Sequence, residues 1–415
     1  MTSAHFWRTT NSGLGRRFLL PLLAATLAVS ACAGAEDDPV SKAEQGVTTE
    51  LPAKPASGTP VKIGFLSPEG GPLGQLPDAR AAAEAATKYV NENLGGIAGR
   101  PIDLVVCKEK EDPASARDCA NQLVAAGVVA VVAPATGQGD AVVPVIAGAG
   151  IPYVTTVGPS GAEMTTPNSF VLSGGVPAAF AGAAKYSAAQ GYKRVAIVAN
   201  DAGSVVASIK TLADPSFQGA GVAVDTIGVP VGTPDMTPQV SAALAQKPDA
   251  VFLVGESGLC TAVLRSLDTL GSKVDKLAVS TCLGQDVVEA AGTAAVEGAH
   301  VISSAEVVSD DPDTVLFRTV MAKYAPDTDL YGFAFSGYQP LLGLVRAVQN
   351  VQGEFTPAAV SEALRAARQV PVPLGSGLTF TCDGQQVFVL TSVCGRGAIV
   401  TTVRDGKPAD PQVIQ

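Results

Sequence analysis

Residues 128–160 read VVAVVAPATGQGDAVVPVIAGAGIPYVTTVGPS and contain two short apolar runs, each ending in small polar residues. The runs Val128 to Val132 and Pro152 to Thr156 do not alternate between apolar and polar residues, which is typical of parallel strands buried on both faces. A helix-compatible segment from Asp140 to Ala149 separates them. The stretch therefore predicts a strand–helix–strand unit whose two loops open at the same edge of a sheet, where open α/β sheets bind ligands.

Length and composition favour a globular protein of more than one domain. A chain of 415 residues is long for one core, so two domains are expected. Hydrophobic residues make up 47% and charged residues 16% of the chain, with a formal net charge of −10. The sequence contains no basic patch and no nucleic-acid-binding motif, so we predict no nucleic-acid partner.

Residues 1–31 predict an export signal. Arg16-Arg17 precede an apolar run, Phe18 to Val29, that is too short to span a bilayer as a helix. Small residues then precede Cys32, and this pattern resembles a bacterial lipobox. The resemblance implies cleavage before Cys32, lipid on its sulfur and attachment to the outer face of the cytoplasmic membrane. An ordinary signal peptide and a cytoplasmic protein remain alternatives, and the export route, general secretory or twin-arginine, stays open.

Six cysteines remain after Cys32, and they fall into three pairs that are local in sequence. Several connectivities are open to six cysteines, and an exported protein favours disulfides. A zinc site would be expected to use Cys-x-x-Cys pairs, which are absent from the sequence. We predict the disulfides Cys107–Cys119, Cys260–Cys282 and Cys382–Cys394.

The order of the predicted elements indicates two successive α/β units. Residues 32–60 are polar and aperiodic, which predicts a flexible tether. From Val61 onward, short apolar runs alternate with helical segments, which predicts doubly wound sheets. Late helices are predicted at Pro312 to Tyr324, Phe333 to Val348 and Pro357 to Ala367, followed by a β-rich tail.

Several segments, taken in order, resemble the first lobe of type I periplasmic solute-binding proteins of the leucine/isoleucine/valine-binding group. They are VKIGFLSPEGGPLG at 61–74, GGIAGRPIDLVV at 95–106, DPASARDCANQLV at 112–124, VVAVVAP at 128–134 and IPYVTT at 151–156. The resemblance implies two Rossmann-like lobes joined by a three-stranded hinge, with residues 61–172 plus 303–371 in lobe I and 173–302 plus 372–415 in lobe II. It further implies that hinge closure traps a small solute for an ABC transporter permease.

The same resemblance implies ligand contacts in lobe I. Thr136 stands where the family has a serine whose hydroxyl and neighbouring amides hold the ligand carboxylate. That loop precedes a helix, and the N–H groups and dipole of a helix N-terminus favour an anion. The same residue types also serve as turns and caps, so this alternative stays open. The lobe I candidates are Thr136, Gly137, Gln138, Gly158 and Ser160.

Other candidates lie in loops that the family turns toward the cleft: Ser67, Gln75, Asp201, Glu256 and Tyr331. The family places a glutamate for the ligand ammonium near Thr281-Cys282, and this chain has no acid there. We therefore expect an organic solute with a carboxylate or similar head, and one other than a standard branched-chain amino acid unless Asp201 or Glu256 supplies the counter-charge.

The sequence motifs for other functions are incomplete in this chain. Gly255-Glu256-Ser257-Gly258-Leu259 and Gly158-Pro159-Ser160-Gly161-Ala162 both fail the last position of a hydrolase nucleophile elbow. His300 is the only histidine after the signal region, which disfavours a His-dependent triad. Gly137-Gln138-Gly139 lacks the third glycine of a dinucleotide-binding loop. We predict no enzyme activity and no cofactor, and a ligand sensor of the same fold remains an alternative to transport.

Overall fold

The structure, a computed structural model, describes residues 48–70, 75–201 and 205–415. The predicted signal peptide, Cys32 and most of the predicted tether lie outside these ranges. No helix within the described ranges is long and apolar enough to cross a membrane.

The first sheet is parallel and is built before residue 172. Its strands are β1 (Val61–Pro68), β2 (Ile102–Glu109), β3 (Ala130–Val132), β4 (Tyr153–Thr155) and β5 (Ser169–Val171), in the order β2-β1-β3-β4-β5. The helices between them are α1 (Pro77–Asn93), α2 (Pro113–Ala125), α3 (Gly139–Gly148) and α4 (Gly161–Thr165). The unit predicted from residues 128–160 is thus present as β3-α3-β4 at the centre of this sheet.

A second α/β unit follows directly. Its elements are α5 (Gly175–Ala189), β6 (Arg194–Asp201), α6 (Val205–Gly219), β7 (Ala223–Pro230), α7 (Thr237–Ala245), β8 (Ala250–Val254), α8 (Ser257–Thr269), β9 (Asp275–Val279), a 3₁₀ turn (Ser280–Leu283), α9 (Gln285–Ala291), α10 (Thr293–Val296) and β10 (His300–Ser303). Strands β6 to β10 pair in parallel, as buried apolar strands without alternation predict.

The remaining chain serves both sheets. Its elements are α11 (Pro312–Tyr324), α12 (Phe335–Val348), α13 (Pro357–Ala366), β11 (Val370–Pro371), β12 (Thr379–Phe380), β13 (Ala398–Arg404) and β14 (Lys407–Ile414). Helices α11 to α13 pack into the core of the first sheet, where Phe317, Leu341 and Leu364 are fully buried. Strands β13 and β14 join the second sheet antiparallel, giving the order β14-β13-β10-β9-β8-β6-β7.

The chain passes between the two sheets after β5, after β10 and before β13, and two of these passages are in direct contact. The Gly395 N–H donates to the Ser173 carbonyl at 3.0 Å. A Cβ atom on Gly395 would lie 2.8 Å from the Ser173 carbonyl carbon, so glycine permits this approach. Two α/β lobes connected by adjacent strands confirm the predicted fold class.

The three predicted disulfides are present. They join Cys107 with Cys119, Cys260 with Cys282, and Cys382 with Cys394. Cys382 and Cys394 lie in the core of the first sheet together with Val372 and Phe380, and the chain reaches the second sheet only at β13.

Candidate functional site

A cavity of about 110 Å³ lies between the two lobes beside the hinge. Phe333 and Phe335 line it from the first lobe, and Phe180 and Phe252 line it from the second. A larger groove of about 490 Å³ around Arg265 is lined by the second lobe alone. The smaller cavity is therefore the candidate site, because only a site between the lobes couples ligand binding to a hinge.

Strand ends bring polar atoms to this cavity. Thr156 and Val157 follow β4, Val254 ends β8, and Ser280 follows β9. These strands are parallel within their sheets, so their carboxyl ends meet at one edge of each sheet. The loop edge predicted from residues 128–160 thus contributes to the cavity through its second loop.

Thr156 is the polar group in the cavity wall with an unmet hydrogen bond. Its side chain is 1% exposed, and its hydroxyl has no partner among the described residues. Buried polar atoms nearly always have a hydrogen-bond partner, and leaving one unpaired is costly. Because Thr156 lines the cavity, its hydroxyl is the candidate hydrogen-bonding group for a ligand there.

The first loop of the predicted site is engaged by the protein's own acids. The Thr136 hydroxyl donates to Glu109 Oε1 at 3.3 Å and accepts from the Gln138 N–H at 3.0 Å. The Gly137 N–H donates to Glu111 Oε2 at 3.0 Å. Thr136, Gly137 and Gln138 thus lie together at the sheet edge, as predicted, but two glutamates already occupy their polar groups.

Burial gives these glutamates unusual acidities. Burial together with the nearby Glu111 charge raises the pKa of Glu109 to about 8. Burial also raises the pKa of Glu111, against the lowering effect of its hydrogen bonds to Glu109, Thr136 and Gly137. The pair therefore retains a proton at neutral pH, since two close carboxylates resist double ionisation.

Known proteins resemble the chain along most of its length. A family model described as periplasmic binding protein matches residues 60–402. The chain belongs to the periplasmic binding protein family.

Comparisons with individual proteins agree with this family assignment. This periplasmic binding protein is 24% identical over 343 residues to the Leu/Ile/Val-binding protein BraC3 of Rhizobium johnstonii, a match covering 79% of this chain and 90% of that protein. The crystal structure of the leucine-binding protein LivK of Thermotoga maritima superposes with a TM-score of 0.72 at 19% identity, covering 86% of this chain and 99% of that one. A solute-binding protein of R. palustris in complex with 4-hydroxybenzoate gives 0.70 at 17% identity, covering 86% and 97%. The fold is that of type I periplasmic binding proteins of the leucine/isoleucine/valine-binding type.

In this periplasmic binding protein the loop after β4 is tied by a helix cap. The Ser160 hydroxyl accepts from the Glu163 N–H at 3.3 Å, while Glu163 Oε2 accepts from the Ser160 N–H at 2.9 Å. Tyr153 donates to Glu163 at 2.9 Å, and burial raises the pKa of Glu163 to about 7. Gly158 has a φ of +57°, and a Cβ there would lie 2.8 Å from Val171. Ser160 and Gly158 thus have local roles as cap and turn.

The predicted acids of the second lobe differ in their surroundings. Glu256 caps α8, with its carboxylate accepting from the N–H groups of Gly258 and Leu259. The Asn200 side chain also donates to Glu256, at 3.4 Å. Asp201 is exposed at the end of β6. Neither residue lines the cavity between the lobes.

The remaining predicted residues also lie outside the cavity wall. Ser67 is buried and donates to Glu69 at 2.8 Å. Despite partial burial, hydrogen bonds from Lys108, Arg80 and Ser67 lower the pKa of Glu69 to about 2. Gln75 is exposed. Tyr331 is partly buried, close to the aromatic wall at Phe333, and burial raises its pKa to about 12.

The sequence analysis did not select the cavity-lining residues as ligand contacts, for identifiable reasons. Phe335 starts α12 and Phe333 lies two residues before it, where aromatic residues usually belong to the core. Phe180 and Phe252 lie inside apolar segments. Thr156 ends the second apolar run of the quoted stretch, so the loop-edge argument made for Thr136 applied to it as well. Glu109 and Glu111 carried a weaker signal, as acids at the end of an apolar strand.

Proposed function

We propose that this protein is an extracytoplasmic solute-binding lipoprotein that traps a small organic solute between its lobes and delivers it to an ABC transporter permease. The observation that carries the proposal is the cavity beside the hinge, whose wall comes from both lobes and holds the unpaired Thr156 hydroxyl. A solute that contacts both walls stabilises the closed arrangement, because it interacts with both lobes only there.

The cavity favours a solute with an apolar part. Four phenylalanines line it, so a branched or aromatic group would gain burial without leaving a polar group unpaired. The Thr156 hydroxyl then supplies a directional hydrogen bond. An amino-acid-like or carboxylate solute, as expected from the family resemblance, is one class, and the named relatives bind leucine-type amino acids or 4-hydroxybenzoate.

The proposal includes binding without chemical conversion of the solute. The energy of binding then serves to shift the population of closed protein, which a permease distinguishes from the open form. The proposed lobes are 61–172 plus 303–371 and 173–302 plus 372–415, with the segment before β13 also packing on the first core. Lipid on Cys32 would hold the protein at the outer face of the cytoplasmic membrane.

A thermal-shift screen on the chain from Ala33 onward tests this function. The panel contains amino acids, amides, organic acids and sugars, and calorimetry on the hits measures affinity and stoichiometry. We expect one solute per chain, bound without turnover, and weaker binding in Phe252→Ala and Thr156→Val. A hit that is converted to product would contradict the proposal, as would binding that neither substitution changes.

A further inference from the structure

We propose that Glu111 permanently fills the anion-binding amide of the first lobe, so that the solute of this protein binds without presenting a carboxylate to that loop. This inference rests on the proposed function for its solute, but the occupancy of the loop is a property of the chain alone.

Glu111 is held at the loop by both its side chain and its backbone. Its carboxylate accepts the Gly137 N–H at 3.0 Å through Oε2, with Oε1 at 3.4 Å. The Gln138 side-chain amide donates to the Glu111 carbonyl at 3.0 Å. The Glu111 N–H in turn donates to Glu109 Oε2 at 2.5 Å. The contacts with Gly137 and Gln138 connect the β2–α2 turn to the loop after β3, and the contact with Glu109 ties the turn to the end of β2.

The backbone of Glu111 adopts a conformation that is more usual for glycine. Its φ is +55°, in the left-handed region that residues with a Cβ seldom adopt. The next residue, Asp112, caps α2 by accepting from the N–H groups of Ala114 and Ser115. Such local strain persists where surrounding contacts hold it, and here those contacts are the ones to the Gly137 loop.

Side chains of the protein itself lie close against the Gly137 loop. A Cβ atom on Gly137 would lie 2.9 Å from Glu111 Oε2, so the carboxylate covers that side of the loop. Two residues on, a Cβ on Gly139 would lie 2.2 Å from Ser160 Oγ and 2.5 Å from Glu163 Oε2. An incoming carboxylate would have to displace Glu111 or lie against the negative charge that the Glu109–Glu111 pair retains, and like charges at such distances repel strongly when buried.

The chemical class that fits is an apolar solute whose polar end is neutral or cationic, such as an amide, an alcohol or an amine. Its apolar part would contact the phenylalanines of the cavity, and its polar end would use the Thr156 hydroxyl, which accepts as well as donates. A carboxylate gains no cation there from the described residues, since none of those that line the cavity is a Lys, Arg or His.

The occupancy of the loop is measurable without the solute. Thr136–Gly137 is the only Thr-Gly step in the sequence, so cell-free labelling with ¹³C-carbonyl threonine and ¹⁵N-glycine gives one selected amide signal, that of Gly137. Acetate is the carboxylate probe. We expect the Gly137 signal of the wild-type chain from Ala33 onward to stay in place as acetate is added. In Glu111→Gly, which tolerates the positive φ, the signal should move from its wild-type position and then respond saturably to acetate.

Two further variants complete this measurement. Glu111→Ala should behave as Glu111→Gly does and guards against a fold defect in either one. Asp140→Asn is the matched control and should match the wild type, because Asp140 lies in the first turn of α3, directly after the same loop, but accepts from the Ala162 N–H. A wild-type Gly137 signal that responds to acetate overturns the inference. So does a Glu111→Gly signal that stays at the wild-type position or ignores acetate.

Paired solutes test the consequence for binding. Calorimetry with leucine against leucinamide, and with 4-hydroxybenzoate against 4-hydroxybenzamide, compares molecules that differ mainly in the carboxylate. We expect the wild type to prefer the carboxylate-free member by about tenfold or more, and Glu111→Gly to narrow the difference. A wild-type preference for the carboxylate overturns the inference. If no member of any pair binds, the proposed function loses support, while the Gly137 measurement still decides the occupancy of the loop.

Discussion

The Asp329 carboxylate accepts a hydrogen bond from the Gln285 N–H at 2.7 Å, and this bond joins the two lobes. Leu330, next to Asp329, lies in the core of the first sheet, whereas Val287, close to Gln285, lies in the core of the second. Gly332 approaches the Gly284 Cα closely enough that a Cβ would lie 3.1 Å from it. The Asp329–Gln285 hydrogen bond therefore holds the two lobes together. It lies at the first turn of α9, where a free N–H favours an anion.

Loss of the Asp329–Gln285 hydrogen bond should favour separation of the lobes. We expect Asp329→Ala to weaken the closed arrangement by about 1.5–3 kcal/mol, the usual range for a hydrogen bond to a charged group. Amide hydrogen exchange at Gln285 should accelerate, and small-angle scattering should report a larger radius of gyration. The exposed neighbour Asp327 supplies the control, since Asp327→Ala should leave both quantities unchanged. Unchanged exchange at Gln285 in Asp329→Ala would contradict the claim that this hydrogen bond holds the lobes together.

Thr156→Val should affect stability and binding in opposite directions. The substitution removes a buried hydroxyl that has no partner among the described residues, so the free energy of unfolding of the solute-free protein should rise by about 1 kcal/mol. Affinity for the solute should fall about tenfold, because one hydrogen bond is lost. Thr155→Val is the contrasting variant: Thr155 accepts from the Val157 N–H, so its loss should destabilise the protein. Equal effects of the two variants on stability would contradict this assignment.

Stability should decrease as the pH rises from 4.5 to 8. The folded state raises the pKa of Glu109 from 4.5 to about 8 and that of Glu163 from 4.5 to about 7. Within this range the folded protein binds protons that the unfolded chain has released, so the free energy of unfolding falls with pH. Burial lowers the pKa of His300, which works in the opposite direction near pH 6.5. Denaturant titrations across this range measure the slope.

Variants identify the groups behind that slope. Glu109→Gln and Glu163→Gln should each flatten it, because each removes one titrating carboxyl. The lowered pKa of Glu69 affects stability only at lower pH. Its contribution to the free energy of unfolding is present above pH 4.5 and is lost as the pH falls toward 2. Glu69→Gln should therefore leave the slope above pH 4.5 unchanged. A stability that rises steadily from pH 4.5 to 8 would rule out the raised pKa values of Glu109 and Glu163.

Reduction of the disulfides should destabilise the fold. Cys260–Cys282 ties α8 to the 3₁₀ turn after β9, next to the Ser280 wall of the cavity. We expect its replacement by paired alanines to lower the free energy of unfolding by about 2–4 kcal/mol. Peptide mapping without reductant checks the pairing, and calorimetry with and without reductant checks the cost. An unchanged melting temperature after complete reduction would be inconsistent with this role.

Membrane attachment should depend on Cys32. In Cys32→Ala no sulfur is available for lipid, so the protein should leave the membrane fraction and appear in the soluble extracytoplasmic fraction. Metabolic labelling with a fatty acid, followed by fractionation, measures both effects. An alanine variant that stays as firmly membrane-bound as the parent would disprove the anchor.

The sequence by itself determined the fold class and the covalent framework. Apolar runs without alternation, such as Val128 to Val132, predict parallel strands because both of their faces need cover. Cys107 and Cys119 lie close in sequence on consecutive elements, so their pairing was predictable, as was the Asp112 cap of α2. These features depend on local geometry and periodicity, which the order of residues contains directly.

Only the tertiary structure decided which polar groups remain available. Thr136 and Thr156 both follow a strand at the same sheet edge, and the sequence treats them alike. Thr136 is paired with Glu109, a residue 27 positions away, whereas Thr156 lines a cavity together with phenylalanines from distant segments, and its hydroxyl has no partner among the described residues. Hydrogen bonding between residues far apart in sequence is set by how helices and strands pack, so the availability of a side chain for a ligand is a property of the packed molecule.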